Sequence, residues 1–234
     1  MKYILIIFIF ATFPLNLFAI SPEDQAQIDL ANRLDKQAIL DYKQGRHTDA
    51  ETLFKRSLKI REKIHGAEHP EVALVLNNLA FIYENRGSYA EAEQFYKRSL
   101  KIFEKGLGQE NPYTATALKT LGILYDKQER YAEAEPLYKR ALAIREKIHG
   151  PEHPEVAWIL NNLGLLYKNQ GRFAEAEPLY KRSLTIYEKI HGPEHSNVAL
   201  ILENLAFLYD NQGRYEEAEP LYKRVLAIRE KIHG

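Results

Sequence analysis

The sequence predicts an all-α protein, a solenoid of antiparallel helix pairs, and three observations carry that expectation. The first is a period of 42 residues. Gly66, Gly108, Gly150, Gly192 and Gly234 obey it, as do Leu79, Leu121, Leu163 and Leu205, Tyr83, Tyr125, Tyr167 and Tyr209, and Ala92, Ala134, Ala176 and Ala218. A fixed period of this length marks stacked units, each burying its apolar face only against its neighbours. The second is periodicity within a unit. In residues 151–192, Val156, Ala157, Leu160, Leu163, Gly164 and Tyr167 make one helical stripe. Phe173, Ala176, Leu179, Tyr180, Ser183, Leu184 and Ile186 make another. The third is punctuation: Pro154 opens the first helix, and Gly171 and Gly192 close the two. A turn this short makes the helices antiparallel, and the small residues at 164 and 176 let them approach closely. Pro136, Pro178 and Pro220 each remove one backbone hydrogen bond early in a second helix.

Taken in order, residues 1–19 (MKYILIIFIFATFPLNLFA) are a different material. Lys2 supplies a positive start, residues 3–13 an apolar run and Ala19 a small residue for cleavage, the pattern of a secretory signal peptide. The expected location is therefore periplasmic or secreted. The alternative is an N-terminal membrane anchor, but the run is short and interrupted by Pro14 and Asn16. Residues 20–66 form a diverged N-terminal capping repeat, with Ser21 and Pro22 as N-cap and first helical residue. Gln37 and Asp41 stand there in place of the Leu and Tyr of other units, as a solubilising cap requires. Repeats 67–108, 109–150, 151–192 and 193–234 follow without linkers. In 109–150, Glu129 replaces the turn glycine. In 193–234, Ser196 replaces the opening proline and serves as an N-cap.

Lys plus Arg equals Asp plus Glu at 32 each, so no basic stripe signals nucleic acid. The absence of cysteine excludes disulfides and thiolate chemistry. His65 with His69, His149 with His153 and His191 with His195 are four apart, but a glycine lies between each pair, so they straddle a loop and hold no metal. They read as linker residues that precede or cap a helix. The acids of AEAEP and the Lys-Arg pairs recur at the structural period, whereas catalytic residues are singular. Neither an enzyme nor a cofactor is expected.

Leu160, Leu163, Gly164, Tyr167, Ala176, Tyr180 and Ser183 resemble the tetratricopeptide signature. The 42-residue length and the segments HPEVA, LNNLA, EAEPLYKR and IREKIHG are similar to the repeats of kinesin light chain and its bacterial relatives. The resemblance implies a right-handed superhelix whose first helices line a concave peptide-binding groove. Carried over to this chain, the groove comprises Leu74, Asn77, Asn78, Phe81, Glu84 and Asn85, then Thr116, Lys119, Ile123, Asp126 and Lys127. It continues with Trp158, Asn161, Asn162, Leu165, Lys168 and Asn169, then Leu200, Glu203, Asn204, Phe207, Asp210 and Asn211. An Asn amide can both donate to and accept from a peptide backbone; the alternative for Asn78, Asn162 and Asn204 is to hold helices together. Phe81, Ile123, Leu165 and Phe207 stand where a carboxylate clamp needs Asn, so the groove suits an internal segment with a large side chain. Lys127 and Lys168, near one level on adjacent helices, are expected to converge beside Trp158 and select flanking acids. The expected function is a non-enzymatic scaffold for a protein or peptide segment, with no nucleic-acid or membrane partner after signal removal. The rival is an assembly module that stacks end to end through residues 214–234, where Val225, Leu226, Ile228 and Ile232 keep the interior pattern.

Overall fold

A computed structural model describes residues 21–233; the expected signal peptide lies outside the described residues. Ten helices follow in order: α1 (Pro22–Lys43), α2 (His47–His65), α3 (Pro70–Asn85), α4 (Tyr89–Leu107), α5 (Pro112–Lys127), α6 (Tyr131–His149), α7 (Pro154–Asn169), α8 (Phe173–His191), α9 (Ser196–Asn211) and α10 (Tyr215–His233). No strand occurs among the described residues. The chain divides into two compact units, one ending at Leu124 and the other beginning at Tyr125, inside α5. In the first, α1 packs on α2, α2 on α3 and α3 on α4. In the second, α6 packs on α7, α7 on α8, α8 on α9 and α9 on α10.

The first helices begin as their sequences require. Ser21 Oγ accepts from the Asp24 amide at 3.0 Å, and the imidazole Nδ1 of His69, His153 and His195 accepts from the backbone N–H two residues on, at 3.3, 3.2 and 3.1 Å. The linker histidines are thus helix caps. In the last repeat the cap is His195, and Ser196 is the first helical residue, which corrects the expectation that Ser196 caps α9. Pro136, Pro178 and Pro220 lie within α6, α8 and α10, which run on past them.

Helix α3 shows how the core is made. Its residues 72–80 are buried without a break, because α2 covers one side and α4 another. A helix apolar all round is stable only in such a position. Leu58 of α2 packs against both clusters that α3 organises, one with Ile102 and Phe103, the other with Ala38 and Phe54. Within a pair, Ser99 Oγ donates to the Ala73 carbonyl (2.9 Å) and Ser183 Oγ to the Ala157 carbonyl (2.8 Å), a bond repeated in register. Gly164 answers for close approach: a Cβ there would lie 2.9 Å from Tyr180 Cε1.

A second repeated contact joins one pair to the next. Glu51 of α2 accepts from the Tyr83 hydroxyl at 2.7 Å and from Arg86. Glu135 of α6 accepts from Tyr167 (2.9 Å) and Arg172 (2.7 Å). Glu177 of α8 accepts from Tyr209 (3.0 Å) and Arg214 (2.7 Å). The guanidinium carbons of Arg172 and Arg214 also lie 4.0 Å above the rings of Tyr167 and Tyr209, so tyrosine and arginine arrive as one stacked group. Arg172 foremost for Glu135, and Arg214 for Glu177, hold these carboxyls down at about 2.

The capping repeat departs from expectation in one respect. Gln37 is exposed, but Asp41 is buried, its carboxylate accepting from Gln37 Nε2 (2.7 Å) and from Arg46. The polar replacement is satisfied within the repeat rather than by solvent, and Arg46, then Gln37, holds the Asp41 carboxyl below the usual range. Deeper in the same repeat, the fully buried Arg61 donates to Asp35 Oδ2 (2.7 Å) and Asn32 Oδ1 (2.8 Å) and pairs with Glu71.

The turns inside the pairs place Gly45, Gly87, Gly171 and Gly213 at φ of 71–81°, and Glu129 occupies the same turn at φ 58°. It is the one non-glycine at positive φ among the described residues. Left-handed backbone costs a side-chain-bearing residue about 1–2 kcal/mol, and glycine gives back about 0.5–1 in chain entropy. Glu129→Gly is therefore expected to stabilise the protein by about 0.5–1 kcal/mol, read as a higher urea midpoint; an unchanged midpoint would refute the strain.

Candidate functional site

The surface to be tested is that of the first helices. On α7, positions 158, 162, 165 and 169 follow one another at helical spacing, and on α9 so do 200, 204, 207 and 211. Each row forms one face. Trp158, Asn162, Leu165 and Lys168 are half-buried and Asn169 is exposed. Phe207 is 47% exposed, Leu200 is exposed, and so are Asp210 and Asn211. Lys168 Nζ lies 4.7 Å over the Phe207 ring, a cation on an aromatic face of the next first helix.

The other partner of Lys168 is Asp126, near the end of α5. Burial pushes the Asp126 carboxyl up to about 6, and the Lys168 charge keeps it from rising further. Burial likewise lowers the Lys168 ammonium, with Asp126 opposing. Asp126 Oδ1 is buried without a hydrogen-bond partner. Of the two lysines expected to converge, Lys168 is engaged by Asp126 and Phe207, while Lys127 lies half-buried at the last position of α5.

Several groove candidates lie inside. Leu74, Asn77, Asn78 and Asn161 are buried, which corrects their assignment to an open surface. The covering neighbour is the second helix of the same pair for Leu74 and Asn77, and the next first helix for Asn161. Leu74 belongs to the core cluster around Phe103. Asn77 Nδ2 donates to the Ala73 carbonyl (3.1 Å) and to Ser99. Asn161 Oδ1 accepts from Asn204 Nδ2 of α9 at 2.8 Å, an amide bridge between first helices. Thr116 and Glu84 are buried too, Glu84 accepting from the Tyr96 hydroxyl (2.9 Å). Of the amides nearer the surface, Asn85, Asn162 and Asn211 donate to carbonyls one turn back in their own helices, at 2.7, 2.7 and 2.6 Å. Phe81 is half-buried with its ring 5.4 Å from that of Tyr42. Lys119 and Ile123 are half-buried on α5, and Glu203 pairs with Arg229 (2.6 Å). The sequence pattern missed the Lys168–Phe207 stack, whose signal was there: the residues are one period less one helical turn apart.

The histidine clusters have their own geometry. The rings of His149 and His153 stack at 4.3 Å, and with Glu155 they bring three ligand-type atoms within 4.8 Å of one another. Arg145 already supplies a cation there, its Nη1 2.8 Å from Glu155 Oε2 and 3.4 Å from His149 Nε2. His153 Nδ1 is used as a cap. Arg61 takes the same part beside Glu71 in the first repeat, where His65 Nε2 lies 3.6 Å from Glu71 Oε2. Among the described residues no helix is long and apolar enough to cross a membrane.

With this geometry in hand, comparison with known proteins identifies the class. The tetratricopeptide repeat profile matches residues 29–105, 71–147, 113–189 and 155–231, and the chain belongs to that family. No curated protein sequence matches it. Among solved structures it is similar to BtubC (BKLC) from P. vanneervenii, with 24% identity over 91% of this chain and 90% of that one and a TM-score of 0.78. It is also similar to a Podosopora anserina protein described as a kinesin light chain with nearly identical TPR-like repeats, with 26% identity, coverage of 90% and 97%, and a TM-score of 0.70. MamA shares the fold at 19% identity, coverage of 83% and 95%, and a TM-score of 0.59. These are kinesin-light-chain-like and related repeat scaffolds, of a family that is generally non-catalytic.

The raised Asp126 carboxyl carries a pH signature. Its value of about 6 lies above the ordinary 3.8, so between those limits the folded chain holds a proton that the unfolded chain has released. Stability then falls as pH rises through that window. Asp126→Asn should leave stability unchanged below pH ~4 and raise it above pH ~6, measured by thermal melts across pH. A variant no more stable than the parent at pH 7.5 would refute the shift.

Proposed function

We propose that this protein is a non-enzymatic scaffold that binds a peptide segment of another protein along α7 and α9. The observation that carries the reading is the Lys168 ammonium held over the exposed Phe207 ring. A large aromatic face left open on a repeat surface, with a cation fixed upon it, is the chemistry of a binding site rather than of a core. Leu165 and Trp158 continue the apolar character along α7. The ligand this suits has a large apolar side chain to lie on Phe207 and Leu165, with an acidic residue beside it for Lys168. The asparagines set the edge of the surface: Asn85, Asn162 and Asn211 each bond a carbonyl one turn back through Nδ2, and the amide oxygen and second N–H are the groups they would offer a ligand. We further propose that residues 1–19 direct export and are removed, which puts the scaffold in the periplasm or outside the cell.

An array of peptides carrying Phe, Leu or Trp flanked by Asp or Glu tests the first reading. The parent chain should select among them and its Trp158 fluorescence should respond. Phe207→Ala and Lys168→Glu should each weaken the selected peptide by about tenfold, with helicity unchanged in circular dichroism. Equal affinity in both variants would move the binding surface elsewhere. For export, the intact mass of the protein from the envelope fraction should correspond to a chain beginning near Ile20; a retained Met1 would end that proposal.

A further inference from the structure

Among the described residues, the linker from one helix pair to the next is built with histidine in three places and without it in one. His69, His153 and His195 cap α3, α7 and α9, each accepting a backbone N–H at Nδ1 (3.3, 3.2 and 3.1 Å). Each ring also stacks on a second imidazole at the end of the preceding helix. These partners are His65, His149 and His191, with centroids 4.6, 4.3 and 4.4 Å away and planes inclined by 18–22°. In the remaining linker Asn111 caps α5, its Oδ1 accepting from the Tyr113 N–H at 2.9 Å, and Leu107 stands where the second imidazole would be. Asn caps a helix as well as any side chain, so capping alone does not call for one ring, still less for two. The two imidazoles are present together or absent together.

An imidazole accepts at Nδ1 only while that nitrogen carries no proton, which fixes the capping ring as the Nε2–H tautomer. A proton there turns the acceptor into a donor aimed at a backbone N–H, breaks the cap and sets a cation on the face of the adjoining ring. The surrounding charges do not favour that proton. Beside the first pair, Glu71 Oε2 of α3 lies 3.6 Å from His65 Nε2 and so favours a proton on the ring that does not cap. The same Glu71 and Asp35 of α1 pair with the buried Arg61 of α2, while Arg98 and Lys105 of α4 pair with Glu62 and Glu68. Beside the second, Glu155 Oε2 lies 3.6 Å from His149 Nε2 and 2.8 Å from Arg145 Nη1, and Arg182 and Lys189 of α8 pair with Glu146 and Glu152. Beside the third, Asn197 replaces the glutamate, Tyr187 stacks on His191 at 5.9 Å, and Arg224 and Lys231 of α10 pair with Glu188 and Glu194. Burial foremost, then the neighbouring imidazole, holds His69 and His153 below the ordinary 6.5. The unfolded chain takes up these protons first, so the stability that the caps supply is complete above pH ~6.5 and is lost as pH falls.

We propose that the stacked histidine pairs are a pH-sensitive latch: the neutral capping imidazole ties the start of a first helix to the end of the helix before it, and mild acid releases it. The latch occurs once in the first compact unit, between α2 and α3. It occurs twice in the second, between α6 and α7 and between α8 and α9. The linker capped by Asn111 has no such group and stays closed. Acid therefore loosens the opening turns of α3, α7 and α9 selectively, and does not act along the chain as a whole.

Residue-resolved hydrogen exchange on the full chain tests this, each rate corrected for the intrinsic effect of pH. Asp126 titrates in an overlapping window with the opposite effect on global stability, so single amides are read here and not a melt. Protection of the Glu71, Glu155 and Asn197 amides should fall about fivefold or more between pH ~7.5 and ~5.5, while that of the Tyr113 amide holds. His153→Asn keeps a cap that does not titrate and should remove the fall at Glu155 while leaving it at Glu71 and Asn197. His149→Leu with His153→Asn, which copies the linker of Leu107 and Asn111, should do the same. An equal loss at Tyr113 in the parent, or Glu155 protection that still falls with pH in His153→Asn, would overturn the proposal. So would nitrogen NMR shifts showing Nδ1 of the capping rings protonated at pH ~7.5.

Discussion

A helix of sixteen residues packed on one of nineteen has two broad faces, and the pair can bury only one of them itself. The other must be closed by the neighbour, and every feature of the chain follows from that. Burying a large apolar side chain contributes about 1.5–3 kcal/mol, so burial drives the stacking. It is non-directional, however, and a helix could slide along its neighbour with little loss. The bonds from tyrosine and arginine to glutamate are smaller in net effect, about 0.5–3 kcal/mol each, but they are directional. They align what burial brings together, and it is this alignment that lets one sequence unit be copied without loss of register.

Much of the architecture was legible because it rests on periodic features. The helices, their pairing and the glycine turns follow from the 42-residue recurrence and the helical stripes. The strained turn at Glu129 was legible for the same reason, since its neighbours in the series are all glycine. What could not be read was where polar side chains find partners. Asp41 looked like a solvent-facing substitution, yet two side chains from its own repeat enclose it. Ser196 is a good cap by type, but His195 stands one residue closer to the true start and takes the role. A one-dimensional pattern gives the face a residue occupies and not the reach of its neighbours.

The candidate surface shows this limit most clearly. Counting positions from the repeat signature treats every first-helix residue on one face as open, but consecutive first helices approach closely enough to cover part of that face. Asn161 falls under the covered part and its amide meets Asn204 of the next first helix, while Leu74 and Asn77 are covered by α4 of their own pair. What stays open lies near the helix ends, where Phe207 and Lys168 meet across the repeat boundary. Asp126 completes that group at a cost, because its carboxyl is desolvated without full compensation. Structural economy would place an apolar or amide side chain there. An uncompensated acid beside a cation and an exposed aromatic ring is the kind of local conflict that folding alone does not require.

The two ends of the described chain resolve the same problem in opposite ways. At the first repeat the series is interrupted: Asp41 replaces the tyrosine, takes Arg46 for itself and leaves nothing to offer an adjoining glutamate. At the last repeat the series is kept, with Glu219, Tyr222 and Leu226 all of the interior type. Glu219 thus keeps the carboxylate that Glu51, Glu135 and Glu177 each offer to a tyrosine and an arginine of the next first helix, whereas Asp41 breaks the tyrosine series at the first repeat.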